Sequence, residues 1–279
     1  MSEQISKSKK TFIHFLPVYG CIATGIIYIT IGVIAILSFL KIREGGADEN
    51  SMLAVMNNSI AGQMFVWVVM LGTLCYVIWR LYETFADPYD YGKDLKGILK
   101  RTGVALSTIA DALIVYAAVR ILLGAGNIQA DGQPAEERQM VNDLLRHGWG
   151  TVLVILLGSV VCLTALVQLL YGITRGYQER VHVEKFGKVI RYVIYAVAGV
   201  GYTARGIILG ITGFFFIKAG VVGDAKFVVN TDKAFDFLGD HVGHLAFIIV
   251  AAGTVCYGLF MLAMGAFYNP EKPVPGSAE

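Results

Sequence analysis

The stretch GHLAFIIVAAGTVCYG, residues 243–258, decides how the chain is read. Gly243 and Gly253 bracket nine residues, and Thr254 follows the second glycine. The same frame returns at residues 62–77, GQMFVWVVMLGTLCYV, with Gly62 and Gly72-Thr73, and at residues 148–163, GWGTVLVILLGSVVCL, with Gly148 and Gly158-Ser159. A fixed spacing that recurs inside three apolar runs marks an internal repeat. The first and third copies agree further, Gly-Thr-Leu-Cys-Tyr at 72–76 against Gly-Thr-Val-Cys-Tyr at 253–257.

Working outward, six stretches meet or approach the ~20 apolar residues that a helix needs to cross a bilayer core. They run Phe15 to Leu40, Ile60 to Trp79, Gly103 to Leu123, Trp149 to Thr174, Tyr192 to Ile217 and Leu245 to Asn269. Composition agrees: 16% of the residues are charged and the mean hydropathy is +0.61, against about 25% charged in soluble chains. The strict alternation of a membrane barrel strand is absent. A net charge of +2, with basic residues spread along the chain, excludes a nucleic-acid partner. Cys21, Cys75, Cys162 and Cys256 all fall in apolar runs and read as small buried hydrophobes. Lys7, Lys9 and Lys10 precede the first run, but that run is far longer than the about 7 to 15 residues of a signal core, so it reads as a retained helix.

The odd-numbered runs repeat as well. Gly20, Ala23, Gly25 and Gly32 return at Gly201, Ala204, Gly206 and Gly213, an offset of 181 that equals the offset from Gly72 to Gly253. The middle copy keeps Gly103 but has Ser107, Thr108 and Val115 in place of the other positions. The expectation is an all-α polytopic membrane protein, one domain over residues 1–279, with six transmembrane helices as three two-helix repeats at approximately 11–88, 95–176 and 191–270. Units of two helices all start on the same side, so the repeats are parallel and imply a pseudo-threefold axis along the membrane normal. Before each second helix lies a segment that suits a flat amphipathic helix: Met52, Leu53, Val55 and Met56; Met140, Val141, Leu144 and Leu145; Ala234, Phe235, Phe237 and Leu238. Thirteen Lys and Arg residues fall on the side of the termini and seven on the other, which places both termini in the cytoplasm. Trp79, Tyr82 and Trp149 are expected as interfacial anchors.

Helices in lipid associate through close backbone approach. Gly20, Gly25, Gly32, Gly72, Gly158, Gly201, Gly206, Gly213 and Gly253 are therefore read as helix-packing positions. Two charges lie deep in the runs, Asp111 and Arg205. An intramembrane charge costs at least ~2.5 kcal/mol unless paired or hydrated, so the two are expected to approach each other as a polar plug or a proton or ion relay, the alternative being that each snorkels to the headgroups. Arg80 and Glu83 read as an i, i+3 surface pair. On the outer side, Asp240, His241 and His244, with His147 in the preceding unit, form a weak metal-ligand pattern. No histidine lies inside a run to ligate a membrane haem, no lysine lies deep enough for Schiff-base chemistry, and no phosphate loop is present. No catalytic centre and no cofactor are expected.

Tyr-Thr-Ala-Arg-Gly-Ile-Ile at Tyr202 to Ile208 with Gly213 beyond it, the run from Tyr76 to Arg80, and Asp87-Pro88 ahead of a basic segment resemble the bacterial membrane proteins grouped as domain of unknown function number twelve hundred and six. The resemblance covers nearly the whole chain and is strongest in the third unit, while Thr24 stands where the signature arginine belongs in the first. It implies a bacterial inner membrane and a fold of three tandem two-helix units, and supplies no activity. Two roles remain open: a structural or accessory partner of a membrane complex, or a small-solute or ion pathway along the axis using Asp111 and Arg205. The partners expected are the lipid bilayer and another membrane protein or a second copy.

Overall fold

A computed structural model describes residues 2–42, 46–57, 59–87, 92, 94–124, 131–175 and 187–266. These form nine α-helices and a 3-10 turn, with no strand among the described residues. The long helices are α1 (Ser2–Phe39), α3 (Ile60–Ala86), α4 (Leu95–Leu122), α6 (Gly150–Thr174), α7 (Lys188–Val222) and α9 (His244–Ala266). The short ones are α2 (Glu49–Met56), α5 (Ala135–Leu145) and α8 (Thr231–His241), which occupy the three segments expected to lie flat. Side chains close the helix starts by accepting from free backbone N–H groups: Asp48 from Asn50 and Ser51, Ser59 from Gly62, Asp94 from Gly97 and Asn230 from Lys233.

Among the described residues five helical segments are long and apolar enough to cross a bilayer: Leu16–Phe39 of α1, and all of α3, α6, α7 and α9. The chain is a multi-pass membrane protein. The expected third crossing falls in α4, which is not among the five; its 28 residues include Lys96, Lys100, Arg101, Asp111 and Arg120. Much of the basic segment 175–191, together with Lys93, Lys272 and the surroundings of Gly103 and of the Ser107 side chain, lies outside the described residues.

The long helices pack in an arc. From one end the order is α4, α3, α1, α9, α7, α6, each packed along the next. Among the described residues α4 and α6, the two ends, do not pack along each other.

Glycine sets the closeness of these contacts, and the contacts themselves repeat. A Cβ on Gly72 would collide with Ala23, and one on Gly253 with Ala204. One on Gly20 would strike the side chain of Tyr76, and one on Gly201 the backbone of Tyr257. Both members of each pair of contacts are related by the offset of 181 residues. The other packing glycines join neighbouring pairs: Gly25 meets Leu262 and the Gly258 carbonyl, Gly32 meets Ala251 and Val255, Gly206 meets Leu169, and Gly158 and Gly213 meet across α6 and α7. In lipid, where burial of apolar surface gives no net drive, dispersion between backbones this close holds the bundle.

Three expectations need correction. Trp79 is 7% exposed and stacks toward Tyr82, so it belongs to the interior, while Tyr82 and Trp149 are exposed as anchors are. Glu83 is 6% exposed, so Arg80 and Glu83 are not a surface pair. Cys21 is buried and Cys75, Cys162 and Cys256 are half-buried, all as free thiols.

Candidate functional site: the charged centre and the outer cap

Arg205 of α7 reaches across to α9 and α1. Its Nη1 donates to the Tyr257 hydroxyl, and its guanidinium carbon stands 4.6 Å from the ring centre of Tyr28 and 4.7 Å from that of Tyr257. These two rings meet edge to face at 5.0 Å. Tyr202 extends the cluster, packed edge-on to Tyr257, Tyr171 and Phe260. A desolvated cation over an aromatic face gains about 2 kcal/mol, so two faces and a phenol oxygen offset much of the cost of burying this charge. The sequence reading has Arg205 meeting Asp111; no direct ion pair joins them, and the immediate partners of Arg205 are tyrosines.

Asp111 nevertheless belongs to the same centre. Arg80 and Arg205 both act electrostatically on its carboxylate, Arg80 more strongly. Arg80 lies over the Tyr76 ring at 4.9 Å and 3.7 Å from Glu83. Arg80 and Arg205 each feel Asp111, Tyr76 and Tyr257. The Nε atoms of both arginines and the Thr73 hydroxyl are buried without a hydrogen-bond partner. Tyr28 of α1, Arg205 of α7 and Tyr257 of α9 thus form one cation–aromatic group, Tyr76, Arg80 and Glu83 of α3 form a second, and Asp111 of α4 feels both cations. Tyr28 stands at the position equivalent to Asp111 when Gly20 is aligned on Gly103, a signal present in the repeat and missed by a search for charges alone.

The second polar region caps the end of the bundle where α1 closes and α3 begins. Here the starts of α2, α5 and α8 converge and are stapled together. The Ala47 N–H donates to Asp232 Oδ1 at 2.6 Å, the Gly132 N–H to Ser51 Oγ at 3.1 Å, and Asn230 Nδ2 to the Gly132 carbonyl at 3.2 Å. Asn50 Nδ2 donates to Glu137 Oε1 at 3.1 Å, and the Thr231 hydroxyl to Glu49 Oε2 at 3.3 Å. Gly132 has φ +73° with the Asp232 carboxylate against it, so no side chain fits there. Burial pushes Asp48 up to about 6 and Asp232 up to about 6, partly opposed by the N–H groups each accepts from. Burial likewise raises Glu49 and Glu137. Glu49 also feels Arg205, which links cap and centre electrostatically.

Each of the three histidines meets an aromatic ring of its own. His147 lies against Trp149 and its Nδ1 is 3.0 Å from the Asp143 carbonyl; His241 stacks on Phe237; His244 meets Phe39 edge-on. Among the described residues no three His, Cys, Asp or Glu side chains are grouped to hold a metal ion. Asp240 is exposed beside His241 and joins no such group.

The family model described as Domain of Unknown Function (DUF1206) matches the chain twice, over residues 19–87 and 200–267. The two matches begin at positions related by the offset that relates the glycine contacts. A Bacillus subtilis (strain 168) protein described as "Uncharacterized protein YxxB" is 24% identical over 269 residues, which is 95% of each chain. No solved structure matches.

Proposed function

We propose that the chain is a six-span protein of the bacterial cytoplasmic membrane, built as three parallel two-helix units about the membrane normal with both termini inside, and that its charged centre relays protons or small ions. The observation that carries the relay is the placement of two cations inside apolar helices, Arg205 against the rings of Tyr28 and Tyr257 and Arg80 over the ring of Tyr76, with both acting electrostatically on Asp111 of α4. Charges buried in a membrane helix mark pathways far more often than packing needs. The threefold arrangement is supported by the order of helices in the arc and by the three short helices whose starts meet at the cap. The place of α4 as a sixth span is supported by its length, 28 residues or about 42 Å of helix.

Proteoliposomes carrying the full chain and a pH-sensitive dye test the relay. A proton flux under an imposed gradient that falls at least tenfold in Asp111→Asn is the expected result; flux absent under every gradient from correctly folded protein removes the reading. Cysteine labelling at Ser2 and Glu279 from the inside, and at Gln133 from the outside, tests the topology.

A second reading, an accessory partner of another membrane protein or of a second copy, is favoured by one observation: the ends of the arc, α4 and α6, leave each other unpaired among the described residues. Purification in mild detergent that yields a single monomeric species, with no co-purifying membrane protein, counts against it.

A further inference from the structure

We infer that the chain holds one phospholipid with an anionic headgroup along α7, an acyl chain lying in the groove over Gly210 and the headgroup phosphate meeting Lys218. The inference rests on the chain crossing the bilayer and is independent of the relay.

The groove lies between α6 and α7 and holds about 340 Å³. Leu169 forms its α6 wall, Gly206, Gly210 and Phe214 run along α7, and Phe237 of α8 stands edge-on to Phe215 at 5.3 Å. Its lining is wholly apolar, and no residue of α4, the other end of the arc, contributes. Helix packing does not require glycine at 210. A Cβ on Gly206 would come within 2.7 Å of Leu169 and one on Gly213 within 2.7 Å of Cys162, whereas one on Gly210 would meet only Ala165, at 3.8 Å. The space above Gly210 is open, and what it opens is the groove.

Residues four apart share a helix face, so the line of Gly206, Gly210 and Phe214 continues to Lys218. The Lys218 ammonium stands 5.6 Å from the ring centre of Phe215, which lines the groove, and 4.4 Å from that of Phe227. It is half-buried and, among the described residues, joins no ion pair. Lys226 lies at the same Phe227 ring, 5.3 Å from its centre, but Asp224 answers it at 2.7 Å. An apolar groove that ends on an unanswered cation is complementary to a molecule with a hydrocarbon chain and a negative head. Cations set between membrane helices bind anionic headgroups. The dimensions select a lipid. Gly206 to Lys218 covers about 18 Å of helix, and one leaflet of a ~30 Å hydrocarbon core is about 15 Å deep. A chain seated from Gly206 therefore brings its phosphate to Lys218. A neighbouring helix, about 10–12 Å across with its side chains, is too wide for about 340 Å³ spread over the about 12 Å from Gly206 to Phe214.

Native mass spectrometry of the full chain in detergent, titrated with phosphatidylglycerol or with phosphatidylcholine of the same chains, tests this. Wild type is expected to take one phosphatidylglycerol at least fivefold tighter than phosphatidylcholine. Lys218→Gln is expected to remove that preference, and Lys188→Gln, at the opposite end of α7, to keep it. Gly210→Phe fills the groove and is expected to weaken both lipids at least fivefold while still eluting as folded protein. If Gly210→Phe does not fold, Phe214→Trp replaces it, because Phe214 is 58% exposed and tolerates the larger ring. The new indole is expected to be quenched more by phosphatidylglycerol brominated in mid-chain than by phosphatidylcholine brominated at the same carbon, and equally by both once Lys218→Gln is added.

Equal binding of the two lipids to wild type overturns the inference, as does equal quenching of the new indole. A preference that survives Lys218→Gln, or unchanged binding in folded Gly210→Phe, overturns it as well. A dimer present in wild type and lost in Gly210→Phe, with lipid binding unchanged, gives the groove to a second copy instead.

Discussion

Replacing Asp48 by Asn is expected to stabilise the protein at neutral pH, against the usual cost of removing a helix cap. Asp48 is 3% exposed; its Oδ2 accepts from the Asn50 and Ser51 N–H groups at 3.1 and 3.2 Å while its Oδ1 is buried without a partner. Asn caps a helix as well as Asp, so the amide oxygen keeps both bonds while the charge is lost and an NH2 takes the place of the unpartnered Oδ1. Burial pushes the carboxyl from 3.8 up to about 6. At 1.36 kcal/mol for each pH unit, ionising it in the folded state costs about 3 kcal/mol. The sign follows from linkage: between about pH 4 and 6 the unfolded chain has released the proton that the folded protein still holds, so this group's contribution to stability falls as pH rises and stays low above 6. Wild type and Asp48→Asn therefore match near pH 4 and diverge up to about pH 6. The variant gains about 1–3 kcal/mol at pH 7.5, the lower figure applying if neighbouring Asp232 and Glu137 relax. Thermal unfolding in detergent at a series of pH values reads this as a gain of several degrees. A variant no more stable than wild type at pH 7.5, or a gap that does not close toward pH 4, refutes the reasoning.

Other outcomes follow from the same contacts. Gly201→Ala drives its Cβ to 2.5 Å from the Tyr257 Cα and is expected to lower stability by about 1–3 kcal/mol. Gly210→Ala, whose Cβ meets only Ala165 at 3.8 Å, gains helix propensity and should be neutral or up to about 1 kcal/mol stabilising; equal Tm values for the two contradict the packing role. Asp232→Ala strips the Ala47 N–H of its acceptor and should lose about 1–3 kcal/mol, while Asp232→Asn, which keeps an acceptor, should not; a chemical-denaturation series on both variants checks this. A double-mutant cycle on Arg205→Gln and Tyr257→Phe should show a coupling of about 1 kcal/mol or more, larger than the coupling of Arg205→Gln with Asp111→Asn. The reverse order places the direct partner of Arg205 on α4.

The elements most legible in the sequence were those written by backbone sterics. A glycine that must admit another backbone leaves its mark at one position, and Gly20, Gly72, Gly201 and Gly253 could be read as contacts from their spacing alone. The partners of the charges were not legible in the same way. Coulomb attraction between Asp111 and Arg205 is the obvious pairing on a linear chain, yet the direct contacts of Arg205 are aromatic faces from two other helices. Tyrosine carries no formal charge, so a survey of ionisable residues passes over it, although Tyr76 and Tyr257 occupy matching places in the repeat. Arg80 and Glu83 lie where α3 nears the interface, and hydropathy alone could not tell their inward orientation from a solvated face. The cap was foreshadowed as three amphipathic segments, but groups separated by up to 185 residues join it, as where the Ala47 N–H donates to the Asp232 carboxylate, and no local pattern encodes such a bond.

The glycine contacts have a mechanical consequence at the centre. Tyr76 of α3 meets Gly20 of α1 and Tyr257 of α9 meets Gly201 of α7, which locks each pair at backbone distance. In α6, Cys162 stands four residues past Gly158, where Tyr76 and Tyr257 follow Gly72 and Gly253, and Gly158 turns to Gly213 and Ile217 of α7. Among the described residues α4 packs along α3 and against α2. The cations Arg80 and Arg205 thus ride on helices joined by glycine contacts, whereas the carboxylate of Asp111 rides on α4, whose described contacts run to α3 and α2. On the proposed relay, a change of charge at the centre is expected to move α4 against α3 before it moves either arginine, since shifting α3 or α7 breaks contacts between backbones. Hydrogen exchange that changes no more in α4 than in α7 between wild type and Asp111→Asn counts against this.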